Sequence, residues 1–161
     1  MTLADTLLEK LNRLSPDATV RRTLSFLDPT TATAVRLEVD MLDALGCQLW
    51  EVAVTRSPSE ANRLQSVGLG VWACRVADEV TGLLEPLKVL EVDDARGQAL
   101  LRSESPAQKS DDLFYYEVLL NKTGAATLRR FHNTKTPGKR EQVSFVVTRE
   151  ALGKVVGDLA G

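Results

Sequence analysis

The chain has 161 residues and a formal net charge of −2 at pH 7, with 43% hydrophobic and 26% charged residues. A chain of this length and composition buries enough apolar surface to fold without a disulfide or a metal. Its slight acidity gives no general attraction to a nucleic-acid backbone, which disfavours a nucleic-acid partner. No apolar run approaches the roughly 20 residues that span a bilayer, so a membrane partner is not expected either.

The cysteines and the histidine give no sign of a metal site. Cys47 and Cys74 form no CxxC pair, and the single histidine, His132, does not complete a zinc site with them by spacing. Both cysteines have apolar neighbours, so we expect two buried, reduced thiols that are not nucleophiles. The first residues lack the apolar core of a signal peptide. We therefore expect a cytoplasmic protein with no metal and no cofactor.

The first segment predicts an amphipathic helix. Leucines recur from Leu3 to Leu14 at helical spacing, and Thr2 with Asp5 resembles a capping box. The helix should end before Ser15-Pro16. We expect its leucine stripe to face a core, with partner binding as the alternative.

Three strands are predicted next, over residues 20–26, 35–41 and 48–55. The second alternates strictly, so we expect one face in the core and the other in solvent, as in an antiparallel sheet. The predicted core positions are Val35, Leu37, Val39 and Met41, and the predicted solvent positions are Arg36, Glu38 and Asp40. In the third strand, Trp50, Val52 and Val54 should share a face.

The middle of the chain is predicted to be helical. Ser57 and Pro58 form a helix start, and Gly68 and Gly70 interrupt that segment. A second main helix then covers Leu69–Leu84 and is stopped by Pro86.

Beyond residue 86 apolar and polar residues again alternate with the two-residue period of a strand. Strands over 87–92 and 98–102 form a hairpin, and residues 103–112 are a polar loop. Strands over 114–120 and 125–131 form a second hairpin. After a long turn around Pro137-Gly138, Val143, Phe145 and Val147 form the last strand, and Thr148 caps a closing helix.

These elements predict a single α+β domain over residues 1–161. The order is one helix, three strands, a helix, four or five strands and a helix, in a mainly antiparallel sheet with helices packed on one face. Strands and helices are segregated rather than alternating, which argues against a parallel α/β sheet.

Few residues point to catalysis. His132 is the only side chain whose ordinary pKa lies near neutrality, but no nucleophile or metal motif accompanies it. The acidic pairs Asp93-Asp94 and Asp111-Asp112 fall at turns, where aspartate hydrogen-bonds the backbone.

One local charge anomaly remains, a basic cluster over residues 129–140. Its candidate binding residues are Arg129, Arg130, His132, Lys139 and Arg140, together with Lys135. Such a cluster fits an anion or a nucleic acid. However, adjacent residues of a strand point to opposite faces, so Arg129 and Arg130 should divide the cluster between two surfaces.

The element order resembles the fold of the type III secretion chaperones. The residues that carry the resemblance are the leucines at 3, 7 and 11, the strands around Val35–Met41 and Trp50–Val54, and the helix Leu69–Leu84. The resemblance implies a small bacterial cytoplasmic protein that dimerises and holds an extended segment of another protein.

Three functions follow as hypotheses. The favoured one is a non-catalytic protein- or peptide-binding domain, because sheet edges and apolar faces need no catalytic residue to bind. A dimeric chaperone-like protein is one form of this hypothesis. The second is a small enzyme with a site around His132 and Arg130. The third is an anion or nucleic-acid binder that uses the 129–140 cluster.

Overall fold

The structure is a computed structural model that describes residues 2–14, 21–134 and 139–161. Within these ranges, four helices accompany one antiparallel sheet of ten strands, which confirms the predicted fold class. The helices are α1 (Leu3–Arg13), α2 (Pro58–Val67), α3 (Leu69–Glu79) and α4 (Arg149–Ala160). The strands are β1 (Arg22–Asp28), β2 (Thr33–Leu42), β3 (Gly46–Thr55), β4 (Leu87–Asp93), β5 (Gln98–Ser103), β6 (Ala107–Lys109), β7 (Asp112–Asn121), β8 (Ala125–Thr134), β9 (Glu141–Val143) and β10 (Phe145–Thr148).

The main strand order across the sheet is β1-β2-β3-β8-β7-β5-β4. At one end β3 and β8 pair directly, with Val52 opposite Leu128. At the other end β9 pairs with β8, and β10 pairs with β3. Residues 141–148 therefore fill the space where β3 and β8 diverge, and we call this segment the wedge.

One face of the sheet is covered by α1, α3 and α4. Inward-facing strand residues such as Leu37 and Val118 share a core with Leu7 of α1, Trp72 of α3 and Val156 of α4. Burying a large apolar side chain in such a core contributes about 1.5–3 kcal/mol. The prediction that helices pack on one sheet face is confirmed.

Irregular pairing between β2 and β3 overturns the predicted face of two residues. Asp40 and Trp50 are extra residues at two register shifts in this pair of strands. Each shift inverts the in–out alternation that follows it. Met41 is therefore exposed and Trp50 is only half-buried, whereas Leu42 and Leu49 take the buried positions. The prediction that Met41 lies on the core face is wrong for this reason, and so is the prediction that Trp50 shares a face with Val52 and Val54.

The middle helical region is divided at Gly68, whose φ of 102° ends α2 and precedes α3. Helix α3 then ends earlier than predicted, and Leu84 lies outside it with a φ of 62° and a 94% exposed side chain. The chain turns at Gly82, where a Cβ atom would come within 3.1 Å of Val155 in α4. The helix thus ends well before Pro86, and the chain that follows it packs closely on α4.

The second half of the chain contains the predicted hairpins with two additions. The predicted polar loop over residues 103–112 contains the short strand β6, which pairs with β7. The predicted last strand is interrupted at Ser144, because β9 and β10 pair with different neighbours. Val20, Ser15-Pro16 and the turn at Pro137-Gly138 lie outside the described residues. Of the four helices found in the described ranges, none combines the length and the apolar character needed to cross a membrane.

Candidate functional site

The sheet face opposite α1, α3 and α4 carries no helix among the described residues, and we call it the open face. Outward positions on five neighbouring strands place charged side chains of alternating sign across it. In the order β2, β3, β8, β7 and β5, these residues are Arg36, Glu51, Arg129, Glu117 and Arg102. Arg102, Glu117 and Arg129 lie directly opposite one another, whereas Arg36 lies opposite Ala53, two residues along β3 from Glu51.

Glu51 lies between two arginines on this face. Arg36 donates from Nη2 to Oε2 of Glu51 at 2.9 Å. Arg129 donates to Oε1 from Nε at 2.7 Å and also contacts it through Nη2 at 2.6 Å. These charge-assisted hydrogen bonds fix both guanidinium groups around one carboxylate.

Glu117 repeats the arrangement one strand farther along the sheet. Arg102 donates from Nη2 to Oε2 of Glu117 at 3.0 Å. Arg140, which follows β8 in the chain, donates from Nη1 to Oε1 and Oε2 at 2.7 and 2.6 Å. The hydrogen bonds to Glu117 raise the pKa of Arg140 above its ordinary value, so this guanidinium stays charged.

The positive groups of the open face lie nearer to solvent than the negative ones. The Glu51 and Glu117 side chains are only 8% and 7% exposed. The four arginine side chains are 34% to 55% exposed, in the order Arg102, Arg129, Arg140 and Arg36. Around Glu117, the three cations Arg102, Arg129 and Arg140 line the same part of the open face as this one carboxylate. This part of the face is thus locally basic on a chain whose net charge is −2, whereas the part around Glu51 also carries Glu38.

Two aromatic rings lie beneath the second pair of arginines. Tyr115 of β7 is paired with Phe131 of β8, and their ring centroids are 6.0 Å apart. The guanidinium carbon of Arg102 lies 4.8 Å from the Tyr115 ring, and that of Arg140 lies 4.0 Å from the Phe131 ring. Both rings are buried although they lie on the open face. Cation–π contact adds to the forces that hold these guanidinium groups in place.

These side chains line a cavity of about 580 Å³ that opens on the face of β5, β7 and β8. We call it the arginine groove. Its defining residues are Arg102, Tyr115, Glu117, Arg129, Phe131 and Arg140. The volume is in the range of small-ligand clefts, and the lining offers guanidinium donors above an aromatic floor.

The structure divides the predicted basic cluster between two surfaces. Arg129 and Arg140 line the arginine groove, and Lys139 is exposed beside Arg140 in the chain. Arg130 points to the helix-covered face, where its Nη1 lies 2.9 Å from Glu85 Oε2. The predicted division between Arg129 and Arg130 is therefore confirmed. Lys135 lies outside the described residues.

His132 also lies on the helix-covered face and away from the groove. Its Nε2 is 2.8 Å from Asp112 Oδ1, and its ring stacks on Phe114 with centroids 4.9 Å apart. Asp112 belongs to one of the acidic pairs, and its contact is with this histidine. Across residues 2–14, 21–134 and 139–161, no group of three or more histidine, cysteine or acidic side chains could hold a metal ion.

The two thiols are free but occupy different environments. Cys47 is buried in β3, and burial raises the pKa of its thiol to about 11. Cys74 is exposed, so the prediction of two buried thiols is wrong for this residue. In α3 the buried face carries Trp72, Ala73 and Val76, and Cys74 projects to the solvent side of the same turn.

Local sequence patterns do not single out Glu51, Glu117 or Arg102 as site residues. A usable signal was present, since each glutamate stands inside an apolar strand segment, as in Trp50-Glu51-Val52. A charged residue on a long, largely buried strand requires a partner, because an unpaired buried charge is costly. The partners of Glu51 and Glu117 include residues that are far away in sequence, and local patterns do not identify such partners.

Comparison of the chain with known protein families, with curated proteins and with solved structures finds no match.

Proposed function

We propose that this chain is a non-catalytic binding domain that holds an extended segment of a protein partner on its open face. The observation that carries the proposal is the arginine groove, in which arginines are held in fixed positions by buried Glu51 and Glu117. Groups that are fixed before binding lose little conformational freedom when a partner arrives. An extended peptide suits a sheet face, because the side chains of both repeat with the same period.

The second hypothesis, a small enzyme around His132 and Arg130, has less support. Catalysis needs titratable groups that converge on a reacting atom. Arg130 is engaged by Glu85, and His132 is engaged by Asp112. Both point to the sheet face opposite the groove. The acidic groups of the groove are ion-paired carboxylates, so the groove offers no free general base.

The third hypothesis is an anion or nucleic-acid binder, and the position of the aromatic rings disfavours its nucleic-acid form. Proteins that bind single strands stack bases on exposed aromatic side chains. Tyr115 and Phe131 are buried beneath Arg102 and Arg140, so their faces are already occupied. The groove thus presents cations and not stacking platforms.

A peptide library displayed on phage tests the proposal. We expect selection on the wild-type protein to enrich peptides that slow hydrogen exchange of the amides of β5, β7 and β8. Replacing both Arg129 and Arg140 by glutamine should weaken binding of the enriched peptides at least tenfold. Failure to enrich any peptide, or protection confined to the helix-covered face, would contradict the proposal.

We also propose the homodimer that the chaperone resemblance implies. Met41 and Val146 are both exposed, and both lie opposite Gln48 on the open face. A second copy would cover these apolar side chains, and closed two-fold dimers are the commonest soluble assemblies. Light scattering on the wild-type protein as it elutes from a size-exclusion column should give twice the chain mass. The Val146→Asp variant should give the mass of one chain. A wild-type mass of one chain at high concentration would rule the dimer out.

A further inference from the structure

We propose that the segment bound in the arginine groove is acidic, with the pattern apolar-x-acidic-x-acidic, where x is any residue. This inference rests on the proposed function, because it names the class of partner for the same site. The observation behind it is that the side chains of the groove form three successive rows across β5, β7 and β8, which we call levels.

The first level of the groove is apolar, and the next two are basic. Leu100 lies opposite Leu119, and Leu119 lies opposite Thr127. Two residues farther along each strand, Arg102 lies opposite Glu117, and Glu117 lies opposite Arg129. The third level is the paired rings of Tyr115 and Phe131, with Arg140 above them. Along β5, β7 and β8, the lining of the groove thus changes from leucine side chains at the first level to arginine side chains at the second and third.

The spacing of the levels matches an extended peptide. Two residues of a strand cover about 6.6–6.8 Å, so successive levels are separated by this distance. A peptide that runs along the strands presents every second side chain to the groove with the same spacing. An apolar residue over Leu100 and Leu119 then places the next two inward side chains beside the exposed arginines. Carboxylates at these two positions complement the excess positive charge.

The arginines can bind further carboxylates without giving up their present partners. Glu51 engages Nε and Nη2 of Arg129, and Glu117 engages Nη1 of Arg140. A guanidinium group has five N–H donors, so each arginine retains donors for a ligand. Nε of Arg102 is buried and has no hydrogen-bond partner in the described part of the chain. The site therefore has donors in excess of its own acceptors.

Three synthetic peptides test the pattern by NMR titration of the wild-type protein. The first is Gly-Leu-Ser-Glu-Ser-Glu-Gly, the second replaces both glutamates by glutamine, and the third is the permuted Gly-Leu-Glu-Ser-Ser-Glu-Gly. We expect the first to shift amides of β5, β7 and β8 and to bind at least tenfold more tightly than the glutamine peptide. The permuted peptide has the same charge and should bind more weakly, because its glutamates fall on opposite faces.

Variants of the protein separate groove binding from general charge. Arg140→Gln should weaken binding of the acidic peptide at least tenfold and leave the affinity for the glutamine peptide unchanged. The matched control is Arg63→Gln, which removes the same charge from an exposed position on α2. The Arg63→Gln variant should bind the acidic peptide as tightly as the wild type does. Should Arg140→Gln fail to fold, the three peptides on the wild-type protein still decide the question.

Each other outcome has a defined meaning. Equal binding of the acidic and glutamine peptides in the groove would overturn the acidic pattern but keep the proposed function. If none of the three peptides binds and the displayed library yields no groove ligand, both proposals fail. Tighter binding of a single-stranded oligothymidine than of the acidic peptide at β5, β7 and β8 would overturn this inference in favour of a nucleic acid.

Discussion

At the scale of single residues, burial gives the two cysteines different reactivities. Cys47 is 1% exposed in the core, whereas Cys74 lies on the solvent side of α3. We expect a chromogenic thiol reagent near neutral pH to label one thiol rapidly in the native protein and the second only after unfolding. Cys74→Ser should abolish the rapid phase. Rapid labelling of two thiols would show that Cys47 is accessible.

Cys47 also predicts a loss of stability at alkaline pH. Burial raises the pKa of its thiol from 9.0 to about 11, so the folded state keeps a proton that the unfolded chain releases. Its contribution to stability is complete below pH 9 and is lost as the pH rises toward 11. Relative to Cys47→Ala, the wild type should lose up to about 2 kcal/mol over this interval in denaturant unfolding. A constant difference between the two proteins would contradict the assignment.

The two faces of β2 should respond differently to truncation. Leu37 is fully buried in the core, whereas Glu38 lies on the open face and accepts a hydrogen bond from Thr23. Leu37→Ala should lower the free energy of unfolding by about 2–5 kcal/mol, because it leaves a cavity. Glu38→Ala should change it by less than about 0.5 kcal/mol. Equal losses in denaturant unfolding would undo the assignment of the faces.

At the scale of elements, the two buried glutamates join neighbouring strands of the open face. Glu117→Gln leaves Arg102 and Arg140 without a counter-charge, which raises the energy of the folded state. Because both arginines are partly exposed, we expect a loss of about 1–3 kcal/mol, below that of a fully buried pair. Glu91→Gln, at an exposed position on β4, is the control and should be nearly neutral. Thermal unfolding of both variants measures the difference.

The sequence predicts the elements well where one periodicity dominates. Strict alternation in 35–39 identifies both faces of β2, and the leucine spacing identifies α1. The prediction fails where irregular pairing changes the period, as at Asp40 and Trp50, because such an irregularity depends on the partner strand. It also fails after Glu79, where α3 ends and the chain then packs closely on α4 at Gly82, because sequence patterns do not display that contact.

The candidate site was only partly predictable for a related reason. Arg129 and Arg140 belong to a run of basic residues that the sequence displays directly. The partner of Arg129 is Glu51, which is 78 residues away in the chain. Only the pairing of β3 with β8 brings these two side chains together, and local patterns contain no information about that pairing.

At the scale of the whole molecule, the wedge joins the two halves of the sheet. Phe145 of β10 is buried, and its ring packs edge-on against Tyr116 of β7 at a centroid distance of 5.4 Å. Phe145→Ala should cost about 3–5 kcal/mol. It should also speed hydrogen exchange at the β3 residues that pair with β10. Val71→Ala, at an exposed position on α3, is the control and should leave exchange in β3 unchanged. Slow exchange in both variants would mean that β3 does not depend on the wedge.

The position of the wedge also bears on the order in which the chain can fold during synthesis. Residues 46–49 of β3 leave the ribosome about a hundred residues before their partner strand β10. Until then, both sides of the gap between β3 and β8 carry unpaired backbone N–H and C=O groups in the interior of the sheet. An incomplete chain therefore presents a strand-shaped vacancy that a neighbouring chain's own residues 141–148 would fit. Crowded nascent chains are thus expected to exchange this segment, whereas each folded chain closes the vacancy with its own residues 141–148.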